Sequence, residues 1–153
     1  MFLDEMFNLM WNKEDITNLC HVNVRVADTY ISPKDNLPRA AAFLNTPKDG
    51  TNLSCDWCKY ATVAISKEII SKQIKGNGDF KNPDIFRFWN MNVGKIRSEI
   101  KPTQKVKHEP LYNDPEIIGF PNNRSHSIIE GEKFDNNTEF RVLILQIGEW
   151  AKE

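Results

Sequence analysis

The sequence predicts one α+β domain with a small mixed or antiparallel sheet and two or three helices. Apolar residues alternate with polar ones in some segments and recur at helical spacing in others. Turn-forming Pro, Gly and Asn clusters separate these segments, but no repeat, low-complexity tract or linker divides the chain. The length of 153 residues, with 40% hydrophobic and 27% charged residues, is typical of one globular domain.

The predicted strands follow from period-two alternation and β-branched residues. Residues 19–27 alternate most regularly, with valines on one side and Asn23 and Arg25 on the other, as in a half-buried strand. Residues 39–44 and 53–57 are predicted as two strands joined by a turn at TPKDGTN. The other predicted strands are 86–93, 104–108 and 125–130.

Helical spacing predicts the remaining elements. Residues 62–75 place Ile65, Ile69, Ile70 and Ile74 on one face, and Gly76-Asn-Gly78 is expected to end this helix. One or two helical turns are expected from Val93 to Ile100, where Pro102 stops them, and a C-terminal helix from Thr138 to Trp150. Residues 1–18 are expected to form an N-terminal helical or docking segment, and residues 19–153 the α+β domain.

Charge and cysteine content favour a cytoplasmic protein. With 20 basic and 21 acidic residues, the net charge of −1 offers no strong field to recruit nucleic acid or membrane. The apolar N-terminus lacks a basic region and a cleavage site, and no apolar run is long enough to span a bilayer. Three cysteines in a chain of this length do not indicate a disulfide framework.

Two histidines are the first candidates for chemistry. His108 and His126 lie near the ends of two predicted strands, with the proline-rich segment 109–124 between them. If these strands are neighbours, both imidazoles can open onto one cleft, where one accepts a proton and the other donates one. Metal-independent attack of a ribose 2′-hydroxyl on phosphate needs this pair. Arg124 can bind the phosphate, and Asn122, Ser125 or Ser127 can position it. The alternative is that these are ordinary turn residues.

A second candidate group contains Arg25, Arg39 and Ser54. An Arg and a Ser on adjacent strands, with small alanines after Arg39, are similar to the grip on nicotinamide dinucleotide in ADP-ribosyl-transfer folds. The alternative is that both arginines form surface or structural ion pairs. A third feature, Cys55-Asp-Trp-Cys58, has no second cysteine pair to complete a zinc site, so we expect no metal. No phosphate-loop or dinucleotide fingerprint is present, and no cofactor is expected.

Four motifs occur in an order that resembles an uncharacterised family of short bacterial proteins. They are Arg39-Ala-Ala-Ala-Phe43, Leu53-Ser-Cys-Asp56, Val106-Lys-His-Glu-Pro110 and the run from Asn123 through His126 to Gly131. The resemblance covers roughly residues 20–150 and implies candidate positions, not a reaction. His108 departs from the family, which often has an acidic residue there. The resemblance therefore favours His126, together with Asn123, as the functional pair.

Two functions follow from these patterns, and whether the chain is an enzyme is left open. The first is a small bacterial enzyme or binding domain for a nucleotide, RNA or another phosphate ligand, with chemistry like a metal-independent RNase or an ADP-ribosyl transferase. The alternative is a non-catalytic subunit of a bacterial defence or toxin-linked assembly. Its apolar N-terminal segment, which contains Phe2, Met6 and Trp11, would then dock on a protein partner.

Overall fold

Six antiparallel strands and three α-helices make up the structure, a computed structural model that describes residues 11–45, 50–133 and 137–153. The strand order is β4-β5-β2-β1-β3-β6. This arrangement confirms the predicted α+β class with an antiparallel sheet. The strands are β1 (His21–Ala27), β2 (Asn52–Trp57), β3 (Phe86–Asn92), β4 (Lys105–His108), β5 (His126–Glu130) and β6 (Gly148–Trp150), and the helices are α1 (Val63–Ser71), α2 (Val93–Glu99) and α3 (Asn137–Ile147).

One face of the sheet is apolar and carries the main core. Strand alternation places the three valines of β1 on this face, all of them buried, beside Trp89 and Met91 of β3. Ile96 of α2 and Phe140 and Ile144 of α3 belong to the same buried cluster. Two of the three helices therefore cover this face, which leaves the opposite face for other uses.

The opposite face carries polar side chains on its central strands. Asn23 of β1 pairs with Asp56 of β2, and Asp56 pairs with His126 of β5, so these three side chains lie in one row across the sheet. Helix α1 covers this face only beside β3, where Val63 and Ile70 pack on Phe88. We call the side that carries this row the polar face.

Residues 39–44, predicted as the first strand of a pair with 53–57, do not form a strand. Residues 40–43 form a 3-10 helix, in which Ala40 and Phe43 are three positions apart and both enter the core. Helix α1 is also shorter than predicted, because it ends at Ser71 and the chain then forms a hairpin over residues 73–81. Gly78 lies in that hairpin with φ of 90° and does not cap the helix.

The C-terminal helix also ends earlier than predicted. It stops at Ile147, and Gly148–Trp150 pairs with β3 as the edge strand β6. A glycine is required at position 148 because a Cβ there would overlap the indole of Trp89 and lie 2.8 Å from the Asn90 carbonyl oxygen. The Trp89 indole is fixed, since its Nε1 donates to the Ile144 carbonyl at 3.2 Å.

Residues 11–18 lie against the domain without forming a helix. Ile16 is part of the main core, and the Glu14 backbone N–H donates to Nδ1 of His108 at 3.0 Å. Residues 1–10, on which the predicted docking helix depends, lie outside the described residues. Within the described ranges, no helix has the length and apolar character needed to cross a membrane.

Gly148→Ala tests the packing of β6 on β3. We expect the free energy of unfolding to fall by about 1–3 kcal/mol, because the added methyl group must displace a buried indole or a backbone carbonyl. Urea unfolding followed by tryptophan fluorescence measures the change. Gly76→Ala is the control, since a Cβ at Gly76 meets nothing within 4 Å and should change stability by less than about 0.5 kcal/mol. Equal effects of the two substitutions would contradict this packing.

Candidate functional site

A pocket of about 240 Å³ opens on the polar face, beside α1. Three central strands form its floor, the segment after α1 forms one wall, and the 109–124 loop forms the other. The lining residues are Arg25, Ser54, Cys55, Asp56, Gln73, Lys81, Leu111, Asn123 and His126. Side chains from five separate parts of the chain therefore meet at this place.

Asp56 is the centre of the hydrogen-bond network beneath the pocket. Only 2% of the residue is exposed, so its carboxylate needs partners that replace water. Arg25 supplies the charge, with Nε 3.1 Å from Oδ2. The Asn123 amide donates to Oδ1 at 3.2 Å, and the Ser125 hydroxyl lies 3.3 Å from the same oxygen. Asp56 thus connects its own strand β2 with β1 and with the turn before β5.

Arg25 connects the sheet to the wall of the pocket. Besides its two contacts with Asp56, its Nη1 donates to Oε1 of Gln73 at 3.0 Å. A guanidinium has five N–H donors, and three take part in these bonds, so two have no partner among the residues that the structure describes. The planar group is held at the pocket by partners on both sides.

The turn from Asn123 to His126 orients the imidazole. The side-chain oxygen of Asn123 accepts from the Ser125 backbone N–H at 3.0 Å and from the Ser125 hydroxyl at 2.5 Å. An Asn that bonds the backbone two residues ahead is a common way to close a turn. The turn is therefore fixed from within, and His126 enters β5 directly after it.

The hydrogen bonds of His126 assign a hydrogen to one ring nitrogen and leave a lone pair on the other. Its Nδ1 lies 2.7 Å from the Glu109 carbonyl oxygen, which can only accept, so Nδ1 carries the hydrogen. In the neutral ring, Nε2 then bears a lone pair, and it faces the Ser54 hydroxyl at 3.4 Å. A lone pair that faces a hydroxyl, on a ring oriented by a third group, is the geometry of a general base.

Lys81 adds a second positive charge to the pocket. Across the described ranges, its ammonium group has no hydrogen-bond or ion-pair partner. Burial lowers the pKa of Lys81, and the charge of Arg25 lowers this pKa further. Two cations, Arg25 and Lys81, thus face the single carboxylate of Asp56, which leaves an excess of positive charge at this pocket.

The structure brings together four of the predicted site residues and separates the others. His126, Asn123, Ser54 and Arg25 line the pocket, and Ser125 lies buried beneath it. Arg39 instead lines a separate cleft of about 450 Å³ between the 40–43 helix and α3.

Arg124 takes part in a different surface cluster. Its guanidinium lies 4.2 Å from the ring centroid of Tyr60 and 3.9 Å from the Glu14 carboxylate. It does not line the pocket. The predicted phosphate grip by Arg124 therefore does not fit this arrangement.

His108 does not face the pocket, and the expectation of one cleft for both imidazoles is wrong. It pairs with Ser127, the residue after His126, so period-two alternation places the two rings on opposite faces. The His108 ring stacks on Tyr60 and is only 2% exposed. Its Nδ1 accepts from Glu14, and its Nε2 lies 2.6 Å from the Arg124 carbonyl oxygen. Both nitrogens are therefore occupied.

Five of the lining residues were not among the predicted ones, and three of these have charged or amide side chains: Asp56, Gln73 and Lys81. Asp56 could have been found, because it is two residues after Ser54 in one strand and therefore shares its face. No sequence pattern indicated Gln73 or Lys81, because the hairpin after α1 brings them to the pocket.

Of the two cysteines in the Cys55–Cys58 motif, Cys55 is buried and Cys58 is half-buried. Burial raises the pKa of Cys55 well above its usual value and that of Cys58 to about 11. All three cysteines are free. Among the residues that the structure describes, no group of three or more His, Cys, Asp or Glu side chains can hold a metal ion.

Comparisons with known proteins leave the pocket as the basis for any functional argument. No protein-family model, curated protein or solved structure matches this chain. The resemblance to short bacterial proteins therefore stays a prediction. Three of its motif residues, Ser54, Asp56 and Asn123, lie with His126 around one pocket.

Asp56→Ala tests whether this carboxylate holds the polar face together. Removing it leaves Arg25 without a counter-charge and takes a partner from Asn123 and Ser125, so we expect a loss of about 3–5 kcal/mol in unfolding free energy. Glu130→Ala is the control, because it breaks only the partly exposed ion pair with Lys107 and should cost less than about 1 kcal/mol. Chemical denaturation provides both values, and similar losses for the two variants would refute this role.

Proposed function

We propose that the pocket on the polar face binds a small ligand that carries a phosphate group. The observation that carries this proposal is the ammonium group of Lys81, which lines the pocket beside Arg25 and has no partner in the described ranges. A partly buried cation without a counter-ion is stabilised by an anion that enters the pocket.

A phosphate group suits the donors around the pocket. Lys81 supplies a point charge, and Arg25 has two N–H groups without a partner in the described ranges, which can donate to an anion. The exposed Ser54 hydroxyl supplies a neutral donor on the floor. Because the whole chain has a net charge of −1, recognition depends on this local group of donors and not on long-range attraction.

Lys81→Met tests the binding of phosphate. Removal of the charge should weaken the affinity for inorganic phosphate at least tenfold, because an ion-paired hydrogen bond is lost from a partly buried site. Isothermal titration calorimetry at fixed ionic strength measures the affinity. Lys75→Met is the matched control, since Lys75 is exposed in the same hairpin and does not line the pocket. Unchanged binding in Lys81→Met, or no phosphate binding by the natural chain, would sink the proposal.

The Nε2 lone pair of His126 favours a catalytic extension of this function. Ser54 occupies the place where a ligand hydroxyl would bind, 3.4 Å from this nitrogen. For a dinucleoside phosphate with a 3′–5′ linkage, Nε2 takes the 2′-hydroxyl proton and the 2′-oxygen bonds to phosphorus. The phosphorus–5′-oxygen bond breaks, which leaves a 2′,3′-cyclic phosphate. The leaving oxygen takes its proton from the Lys81 ammonium group. Lys81 thus replaces the second histidine that the sequence suggested. ADP-ribosyl transfer is not retained, because Arg39 lines another cleft.

His126→Gln tests this reaction on the dinucleoside phosphate UpA. We expect slow cleavage by the natural chain, none of the 2′-deoxy analogue, and a fall of about 10²–10⁴-fold in His126→Gln because the general base is lost. Affinity for the deoxy analogue should change less than threefold. His21→Gln serves as the control, since the exposed His21 does not line the pocket. Absence of cleavage, or equal cleavage by His126→Gln, would remove the catalytic step but not the binding function.

A further inference from the structure

Exposed apolar side chains are concentrated on the two segments that form the pocket walls. Of the ten large apolar side chains that are exposed in the described residues, five lie on the 109–124 loop or the 73–81 hairpin. We call these five the apolar rim, and they are Phe80, Leu111, Ile117, Ile118 and Phe120. Their exposed fractions run from 42% for Leu111 to 78% for Ile118. A concentration of this kind marks a binding surface more often than single exposed apolar residues do.

The two segments of the rim are in direct contact. Gln73 pairs with Gly119 in a short bridge, and a Cβ on Gly119 would lie 2.7 Å from the side chain of Ile74. Gly119 has φ of 92° and lies in the tight turn between Ile117 and Phe120. The loop tip and the hairpin therefore lie side by side.

Leu111 connects this surface to the pocket, because it lines the pocket and is also part of the rim. The pocket volume of about 240 Å³ is small for a whole ligand. Sites for drug-sized molecules usually measure about 300–1,000 Å³. A phosphate with an attached sugar can enter, but any further group of the ligand must lie outside, against the rim.

We infer that the ligand is a nucleotide with a single phosphate, whose nucleobase packs on the apolar rim. This inference rests on the proposed phosphate site and adds the ligand class. Flat bases pack well on aliphatic and aromatic side chains, and the contact does not depend on base sequence. The phosphate would then lie at Lys81 inside the pocket. The base would lie outside the pocket, on Leu111 and the other residues of the apolar rim.

A phosphopeptide fits this surface less well. Extended peptides commonly bind by adding a strand to a free sheet edge. Strands β1, β2 and β5, which form the pocket floor, are all interior, with paired neighbours on each side. No free sheet edge therefore lies at the pocket floor to hold a peptide backbone.

A long nucleic acid is also disfavoured. Single-stranded chains bind along positively charged grooves. Three exposed acidic side chains lie on the same two segments as the rim: Asp79, Asp114 and Glu116. The hairpin carries two basic residues, Lys75 and Lys81. These segments therefore offer no basic track beyond the pocket, and the site suits one phosphate.

Calorimetric titration with AMP, ribose 5-phosphate and inorganic phosphate tests this inference. The natural chain should bind AMP at least tenfold more tightly than ribose 5-phosphate, because only AMP has a base. In the double variant Ile117→Ser/Phe120→Ser, this difference should shrink to about twofold, while the affinity for ribose 5-phosphate stays within twofold of the natural value. Leu19→Ser is the matched control, because Leu19 is 87% exposed and outside the rim. It should keep the full preference for AMP.

The outcomes separate this inference from the proposed function. Equal affinity for AMP and ribose 5-phosphate, or a full AMP preference in the double variant, overturns the assignment of the rim alone. A phosphoserine peptide that binds more tightly than AMP also overturns it. If none of the phosphate compounds binds, the proposed function and this inference fail together.

Discussion

The carboxylate of Asp56 lies in the middle of the sheet with almost no contact with water, and it is tolerated there because Arg25 and two polar side chains surround it. Burial of an unpaired charge would cost several kcal/mol, so this group must keep its partners. The same partners define the pocket. Arg25 reaches the wall through Gln73, and Asn123 fixes the turn that orients His126. The constraint that stabilises the polar face thus also builds the site.

Local patterns predicted most of the sheet. Alternation in β1 and β3 was sufficient, because each of these strands turns a row of buried apolar residues to the main core, and period two is then imposed on the sequence. The predictions failed where distant contacts decide the conformation. Residues 40–43 were expected in a strand but form a 3-10 helix on the core, and Gly148–Trp150 leaves the C-terminal helix to pair with β3. Neither outcome is encoded within a few neighbouring residues.

The site was predictable only in part, because the sequence does not give strand register. Four predicted residues line the pocket, but His108 and His126, which look equivalent in the sequence, point to opposite faces. His108 pairs with Ser127, one residue after His126. This single step in register buries the His108 ring, with both nitrogens occupied, and leaves the His126 ring open to the pocket. The place of Lys81 in the site could not be predicted, for a related reason. It reaches the pocket through a hairpin whose position depends on contacts with the 109–124 loop.

The opposite tautomers of these two histidines allow a direct test of the account. A long-range ¹H–¹⁵N NMR spectrum of the imidazoles, recorded during titration with phosphate, assigns each ring and its surroundings. We predict that neutral His126 carries its hydrogen on Nδ1 and neutral His108 on Nε2. Phosphate should shift the His126 signals and leave those of His108 unchanged. A His126 ring protonated on Nε2 alone, or unmoved by phosphate that binds elsewhere, would contradict it.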